Sequence, residues 1–358
     1  MKRLHLIREE IRRQRAYPAD ATPCQIKLDA NENPFPLPED LTGLFFSAVT
    51  REVALNRYPE AGSPALRRRF AARFGVAPNQ VLLGNGSDEL ILALLIACGG
   101  PGKSVLIPTP TFAMYRICAL NLGCRVREAP LAAGGDLDLP AMLAALERER
   151  PVLTFLSYPN NPTGGCFDDE KIAAVIERAS GLVVVDEAYG PFSGRSFLPR
   201  LEAYDNLLIL RTLSKVGLAA MRIGFLVGPP EIVAEIDKVR LPYNLNSVSQ
   251  MAAGFYLDHE ARFMAQTEEI VRERVGLWDA LRQTAGMHPW PTDANFIFFT
   301  CDRDINQVYA ALVKRGVLVK KFDASGSAPP AIRVTVGRRE ENEAFLKALR
   351  AGVTTLGA

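Results

Sequence analysis

Leu207-Leu208-Ile209-Leu210-Arg211-Thr212-Leu213-Ser214-Lys215-Val216-Gly217-Leu218-Ala219-Ala220-Met221-Arg222-Ile223-Gly224 is the stretch whose reading decides the fold. Its first four residues form an apolar run, the pattern of a strand buried on both faces. A polar burst follows from Arg211 to Lys215, then Gly217, and a second arginine, Arg222, seven residues after the lysine. A lysine at the mouth of a buried strand, flanked by hydroxyls and arginines, can form a Schiff base with a carbonyl cofactor while its neighbours hold a phosphate. The same residues can also form a surface strand-to-helix loop without chemistry. The rest of the chain decides between the two.

Working outward, apolar segments at 104–107, 152–156, 182–185, 207–210 and 223–227 read as strands, separated by helical patterns such as 139–149 and 168–179. That alternation predicts an α/β fold: a mostly parallel central sheet with helices on both faces, whose ligands gather beyond the carboxyl ends of the strands. Ser63-Pro64 carries the cap and first-turn signature of a helix running to Phe74, with Gly75 as its stop. Residues 4–15 place Leu4, Ile7 and Ile11 on one narrow helical stripe, expected to dock on the body of the protein. The stretch Ile26 to Asp40, IKLDANENPFPLPED, has little periodicity and reads as an extended arm, which invites a dimer. After Pro242 the texture changes to a long helical pattern at 248–284 broken near His259. NFIFFT (295–300), a helix near 304–315, VLVKK, IRVTVG and a last helix from about 339 follow. The expected division is an N-terminal helix and arm (1–30), a large domain (31–243) and a smaller α+β C-terminal domain (244–358).

The 358 residues are 48% hydrophobic and 23% charged, which fits a globular chain and not a disordered one. Lysine and arginine number 42 against 40 acids, and that balance argues against nucleic acid or a membrane surface as the main partner. Six cysteines include no C-x-x-C pair and read as reduced core thiols; three scattered histidines argue against a metal site. The longest apolar run, Leu90 to Cys98, is about half of the roughly 20 residues a membrane helix needs. A cytoplasmic location is the expectation.

Three further motifs sit at strand ends. Val81 to Glu89, VLLGNGSDE, reads as strand, glycine turn and helix start, where backbone amides and Ser87 suit a phosphate, although Asn-Gly also favours a plain tight turn. Val183 to Tyr189, VVVDEAY, puts Asp186 at the end of a buried strand. A carboxylate there can be a structural cap, a metal ligand or the partner of a protonated ring nitrogen; the absence of G-x-x-x-x-G-K-[ST] removes the nucleotide-metal reading. Beside the structural cap, the ring-nitrogen reading stays open and suits pyridoxal phosphate, whose protonated ring acts as an electron sink, with Tyr189 able to meet its phenolate oxygen. Ser157 to Gly164, SYPNNPTG, reads as tight turns that could also present an asparagine to such a ring.

In order and spacing, L-D-A-N-E-N-P-F, G-N-G-S-D-E, Y-P-N-N-P-T-G, V-D-E-A-Y and T-L-S-K-V-G-L-A-A-M-R-I-G resemble the histidinol-phosphate aminotransferases, within the fold-type I, aspartate-aminotransferase-like enzymes, from Leu28 to about Glu341. The resemblance implies pyridoxal 5′-phosphate bound covalently by Lys215, which then moves the proton between substrate Cα and the cofactor. Asp186 would pair with the ring nitrogen, and Tyr189 and Asn161 would contact the ring oxygen. Gly86, Ser87, Ser214 and Arg222 would hold the phosphate, supported by Asp88 and reached by Tyr58 from the other subunit of a homodimer. Phe112 would stack on the ring where many relatives have tyrosine. Arg333 would meet the anionic end of the substrate, with Tyr17 and the Asn31–Asn33 arm covering the pocket. Lys320 stands where relatives commonly carry a second arginine; it offers a phosphate a point charge without a bidentate fork. The implied reaction is transamination of L-histidinol phosphate with 2-oxoglutarate. The rivals are an aromatic-amino-acid transaminase, a threonine-phosphate-decarboxylase-like enzyme, or a non-catalytic binding protein, which would be expected to lack the lysine or the aspartate.

Overall fold

The computed structural model describes residues 3–14, 22–324 and 329–355. These form two sheets with helices packed on them. The larger sheet has seven strands: β2 (Val81–Asn85), β3 (Ser104–Thr109), β4 (Arg125–Pro130), β5 (Leu153–Ser157), β6 (Leu182–Asp186), β7 (Leu207–Thr212) and β8 (Ile223–Val227), in the spatial order β2-β8-β7-β6-β5-β3-β4. Strands β3 to β7 pair parallel, and β8 runs antiparallel to both β7 and β2, so the sheet is mostly parallel as the alternating pattern predicted.

The continuous apolar runs have a direct cause. Val184, Leu208 and Leu210 face a core layer built with α4 (Ser87–Cys98), α5 (Ala113–Asn121) and α9 (Pro230–Asp237). Val183, Val185, Leu207 and Ile209 face the opposite layer, under α6 (Leu139–Glu149) and α7 (Asp169–Arg178). Both faces of each central strand are therefore dry, and a period-two alternation of polar residues would be destabilising there. Strand β4 lies at the sheet edge and carries Arg125, Arg127 and Glu128, a charged edge that resists pairing with another chain.

The second sheet has the order β1-β11-β12-β10-β9, from β1 (Ile26–Leu28), β9 (Met287–Pro289), β10 (Phe296–Cys301), β11 (Val317–Phe322) and β12 (Ala331–Thr335). The arm thus contributes a strand: Ile26 to Leu28 pair parallel with Val317 to Val319. Helices α11 (Glu260–Arg282), α12 (Ile305–Lys314) and α13 (Arg339–Thr355) cover this sheet through Ile270, Leu277, Val308, Leu312 and Phe345. The helical pattern after residue 247 is interrupted at His259, which separates α10 (Ser247–Asp258) from α11.

Two local expectations are corrected. The N-terminal stripe does not make one docked helix: a 3-10 turn at Leu4–Leu6 and a four-residue α1 (Glu9–Arg12) are separated by a bend, leaving Leu4, Leu6 and Ile7 exposed. Helix α3 (Pro64–Phe74) runs as read and stops at Gly75 in the left-handed region, but Ser63 sits at φ 46° and makes no side-chain cap. Between the arm and α3 lies α2 (Glu39–Glu52), which buries only Leu41 and Phe45.

Gly224 of β8 sets the position of the glycine turn that opens α4. A Cβ there would lie 2.4 Å from Ser87 N and 2.5 Å from Gly86 C, both backbone atoms. Gly224→Ala is expected to lower stability by about 2 kcal/mol through overpacking and to push the turn outward, weakening the binding of an anion there. Urea unfolding and an inorganic phosphate titration of the same variant measure the two effects; unchanged affinity would show that the close approach is not what shapes the turn.

Candidate active site

The polar residues singled out at the strand ends converge on one cavity between the carboxyl ends of β5, β6 and β7 and the amino end of α4. Ser87, Asp88, Asn161, Asp186, Tyr189 and Ser214 line it, together with Phe112, Lys215 and Arg222. They meet because parallel strands of similar length end at one level, so each loop that follows opens on the same rim.

One wall is a cradle for an anion. Gly86 sits at φ 79°, and a Cβ on it would lie 2.6 Å from Arg222 Nη2, so only glycine lets the guanidinium lie against the turn. Arg222 donates to Asp88 Oδ2 at 3.0 Å and to Ser214 Oγ at 3.3 Å. Thr212 Oγ1 accepts from Ser214 N and donates to the Ile223 carbonyl oxygen at 2.8 Å, with Ser214 Oγ 2.9 Å away, which fixes the loop after β7. The amino end of the 12-residue α4 adds its free amides and the positive end of its dipole. A phosphate fits this donor set.

The opposite pole is Asp186. Its side chain is buried at the end of the central strand β6; Oδ2 accepts a 2.6 Å hydrogen bond from Tyr115 Oη and Oδ1 accepts from Ala188 N at 3.0 Å. Burial pushes its carboxyl up to about 6, against which the bonds from Tyr115 and Ala188 N act, while Asp88 and Glu187 reinforce the rise. A carboxylate in that state gains most from a cationic ring nitrogen placed against it, so the residues present fit pyridoxal phosphate at both ends. Tyr115 is itself fully buried, stacked on Phe155 with centroids 4.7 Å apart and edge-on to Phe112; burial raises its hydroxyl far above the ordinary range, so it stays protonated and donates.

Lys215 lines the same cavity, its Nζ 5.7 Å from the Tyr189 ring centroid and 3.4 Å from the carbonyl oxygen of Ala30 in the arm. Arg333 of β12 reaches the rim from the second sheet. It is buried, donates to Asn161 Oδ1 at 2.5 Å and to Asp29 O at 2.6 Å, and lies over the Phe296 and Phe322 rings. Lys320 is its neighbour in register on β11. Asn33 is anchored outside the cavity lining: Oδ1 accepts from Phe35 N and Nδ2 donates to Gln266 Oε1. Tyr58 also lies apart from this cavity, 82% exposed and stacked on Tyr243. Tyr17 falls outside the described residues.

Sequence reasoning missed Tyr115, and it named Asn31 only as part of the covering arm. Tyr115 was visible as the last residue of PTFAMY, one helical turn after Phe112, but its bond partner lies 71 residues away. Asn31 is buried, and its Nδ2 donates to Tyr189 Oη at 2.9 Å.

A mostly parallel sheet with this lysine, this buried aspartate and this phosphate cradle defines a fold-type I pyridoxal phosphate enzyme. Residues 23–349 match the family model for aminotransferase class I and II. Histidinol-phosphate aminotransferase 2 of Nitrosococcus oceani is 44% identical over 97% of both chains, and histidinol-phosphate aminotransferase of Aquifex aeolicus is 38% identical over 99% of both. The crystal structure of histidinol-phosphate aminotransferase from Sinorhizobium meliloti in complex with pyridoxal 5′-phosphate superposes with a TM-score of 0.87 at 24% identity, covering 97% of each chain. The chain belongs to the class I and II aminotransferases, and within them to the histidinol-phosphate aminotransferase family. No helix among the described residues is long and apolar enough to cross a membrane.

The weakened acidity of the buried Asp186 has a stability consequence. The native carboxyl keeps its proton up to about pH 6, whereas an ordinary aspartate loses it near 3.8. Between those values the native state binds more protons, so stability from this group is fully present below the lower value and is lost as pH rises through the upper one. Asp186→Asn is expected to make the cofactor-free protein more stable at pH 8 by about 2 to 3 kcal/mol, with the difference shrinking toward pH 5. Urea unfolding of both proteins across that range measures it; a pH-independent difference would remove burial of the charge as the cause.

Proposed function

We propose that this chain transfers the amino group of L-histidinol phosphate to 2-oxoglutarate, giving imidazole-acetol phosphate and glutamate, in histidine biosynthesis in the cytoplasm. The observation that carries the reading is the buried Arg333, held on Asn161 at the rim of the cavity with Lys320 beside it. Two cations there suit a substrate with a phosphate at one end, and the near-full-length identity to enzymes named for that substrate supports it.

The bound pyridoxal phosphate supplies an electron sink for the charge that develops at substrate Cα. Lys215 would hold it covalently and afterwards carry the proton to and from Cα on Nζ. Asp186 would keep the ring nitrogen protonated, with Tyr115 and Ala188 N holding the carboxylate in place. Gly86, Ser87, Ser214 and Arg222 would bind the phosphate, and Asp88 orients Arg222. Phe112 would stack on the ring. Because Asn161 Oδ1 is taken by Arg333, Asn161 is left with its Nδ2 donor for the ring oxygen, where Tyr189 would meet it as well. Arg333 and Lys320 would bind the phosphate end of the substrate and orient Cα over the ring. Tyr17 and the Asn33 arm would shield the pocket from water.

The domain boundaries at 30/31 and 243/244 belong to the same reading, with the arm strand β1 tying the N-terminal segment to the smaller unit. The partner is a second copy of the chain. Tyr58 and Tyr243 stack 4.6 Å apart at 15°, and Leu55 and Leu241 beside them in sequence are 88% and 70% exposed. An apolar, aromatic surface of that kind is an interface signature, and Tyr58 would reach the phosphate in the neighbouring site.

A yellow protein that bleaches with L-histidinol phosphate and recovers its band with 2-oxoglutarate is the expected result. Lys215→Ala is expected to lower turnover by about a thousandfold or more. A band indifferent to L-histidinol phosphate but bleached by an aromatic amino acid would move the substrate, and carbon dioxide release without a keto product would replace transamination by decarboxylation. For the dimer, Tyr58→Phe is expected to weaken cofactor binding about tenfold through loss of one charge-assisted hydrogen bond, with the sedimenting mass staying at two chains. A monomeric mass for the unmodified protein would remove the cross-subunit contact.

A further inference from the structure

Asn31 is fixed with unusual completeness for an arm residue. It is 1% exposed and sits at φ 55°, a backbone state that asparagine tolerates better than most side chains. Its backbone N–H donates to Thr335 Oγ at 2.9 Å, and its carbonyl accepts from Asn295 Nδ2 at 3.0 Å. Its side chain bridges two elements: Nδ2 lies 2.9 Å from Tyr189 Oη and Oδ1 lies 3.4 Å from Thr335 Oγ.

These bonds set a direction. The Thr335 hydroxyl already accepts from Asn31 N, so its own proton goes to Asn31 Oδ1, which orients the amide with its nitrogen toward the tyrosine. An amide nitrogen only donates. Tyr189 Oη therefore accepts from Asn31, and the tyrosine proton is left for a partner in the cavity that Tyr189 lines.

We propose that Asn31 is a positioning residue for the cofactor: by donating to Tyr189 Oη it commits the tyrosine proton to the ring oxygen of bound pyridoxal phosphate. The inference rests on the proposed reading of the site and adds a residue to it. The tripeptide Asp29-Ala30-Asn31 then bears on three site residues at once, since the Asp29 and Ala30 carbonyls accept from Arg333 and Lys215. The rival explanation is that Asn31 only holds the turn between the arm and the smaller sheet.

The charged and titratable groups around Tyr189 are Lys215 above its ring, Asp186 with Tyr115 at the end of β6, and Arg333 across the shared Phe296 ring. The variants that follow leave all of these in place. The test is a pH titration of the visible band of the holoenzyme. A hydrogen bond donated to the ring oxygen favours the high-pH, more negative form of the bound cofactor and so lowers the midpoint. Asn31→Ala is expected to raise the midpoint by about one pH unit. Asn31→Asp, whose carboxylate accepts the tyrosine proton, is expected to raise it at least as far. Thr335→Val frees the amide to turn and provides a milder variant should changes at the strained Asn31 backbone prevent folding; a smaller rise is expected. In a Tyr189→Phe background the Asn31 substitutions are expected to shift nothing further. A midpoint unmoved in the folded variants, with only the melting temperature lowered, would overturn the inference, as would a shift that persists without the tyrosine hydroxyl. A wild-type protein that forms no visible band with pyridoxal phosphate fails earlier, and takes the reading of the site with it.

Discussion

The carboxylate of Asp186 is buried at the end of the central strand with no ion pair among the described residues, and much of the site follows from that one placement. Removing a charge from water is costly, and here the cost is only partly offset by the Tyr115 hydroxyl and one backbone amide. The strand has to be central and dry on both faces to hold the group there, which is why Val183 to Val185 carry no polar side chain. The neutralising charge must come from a ligand. A fold that is less stable for lack of a cation is thereby selective for a cofactor that brings one, the stability–function trade seen wherever a site is built before its ligand arrives.

The second sheet and the arm complete what the large sheet begins. Strand β1 enters the small sheet beside β11, so the arm is anchored by a ladder of backbone hydrogen bonds before it passes the cavity. Its next three residues then lie between Lys215, Arg333 and Tyr189. Arg333 in turn grips Asn161 of the large sheet's loop, so the group expected to sense the substrate's anion and the group expected to touch the ring oxygen are joined by a single hydrogen bond.

Much of this was legible in the chain. Each of the motifs around Gly86, Asn161, Asp186 and Lys215 is a strand end followed by a turn, and both features are written in neighbouring residues: apolar runs for the strand, glycine, proline and asparagine for the turn. Parallel strands then bring the turns to one rim, so reading them in order was enough to assemble the cavity. The charged edge strand β4 escaped because a search for apolar runs passes over Arg125, Arg127 and Glu128. The N-terminal stripe misled because three apolar residues at helical spacing carry no information about what they pack against, and Leu4 and Ile7 pack against little. Ser63 had the composition of a cap but the backbone of a left-handed turn, which the Ser-Pro pair does not disclose.

The sequence by itself determined the sheet, its direction, the order of the site residues along it and the family to which they belong, since these depend on local periodicity and on short motifs. Tertiary structure alone decided who holds whom. Tyr115 meets Asp186 across 71 residues, Asn31 meets Tyr189 across 158, and Arg333 meets Asn161 across 172. None of these pairs has a local signature, because a hydrogen bond between side chains on different elements depends on where the packed layers bring them, and packing is a property of the whole core.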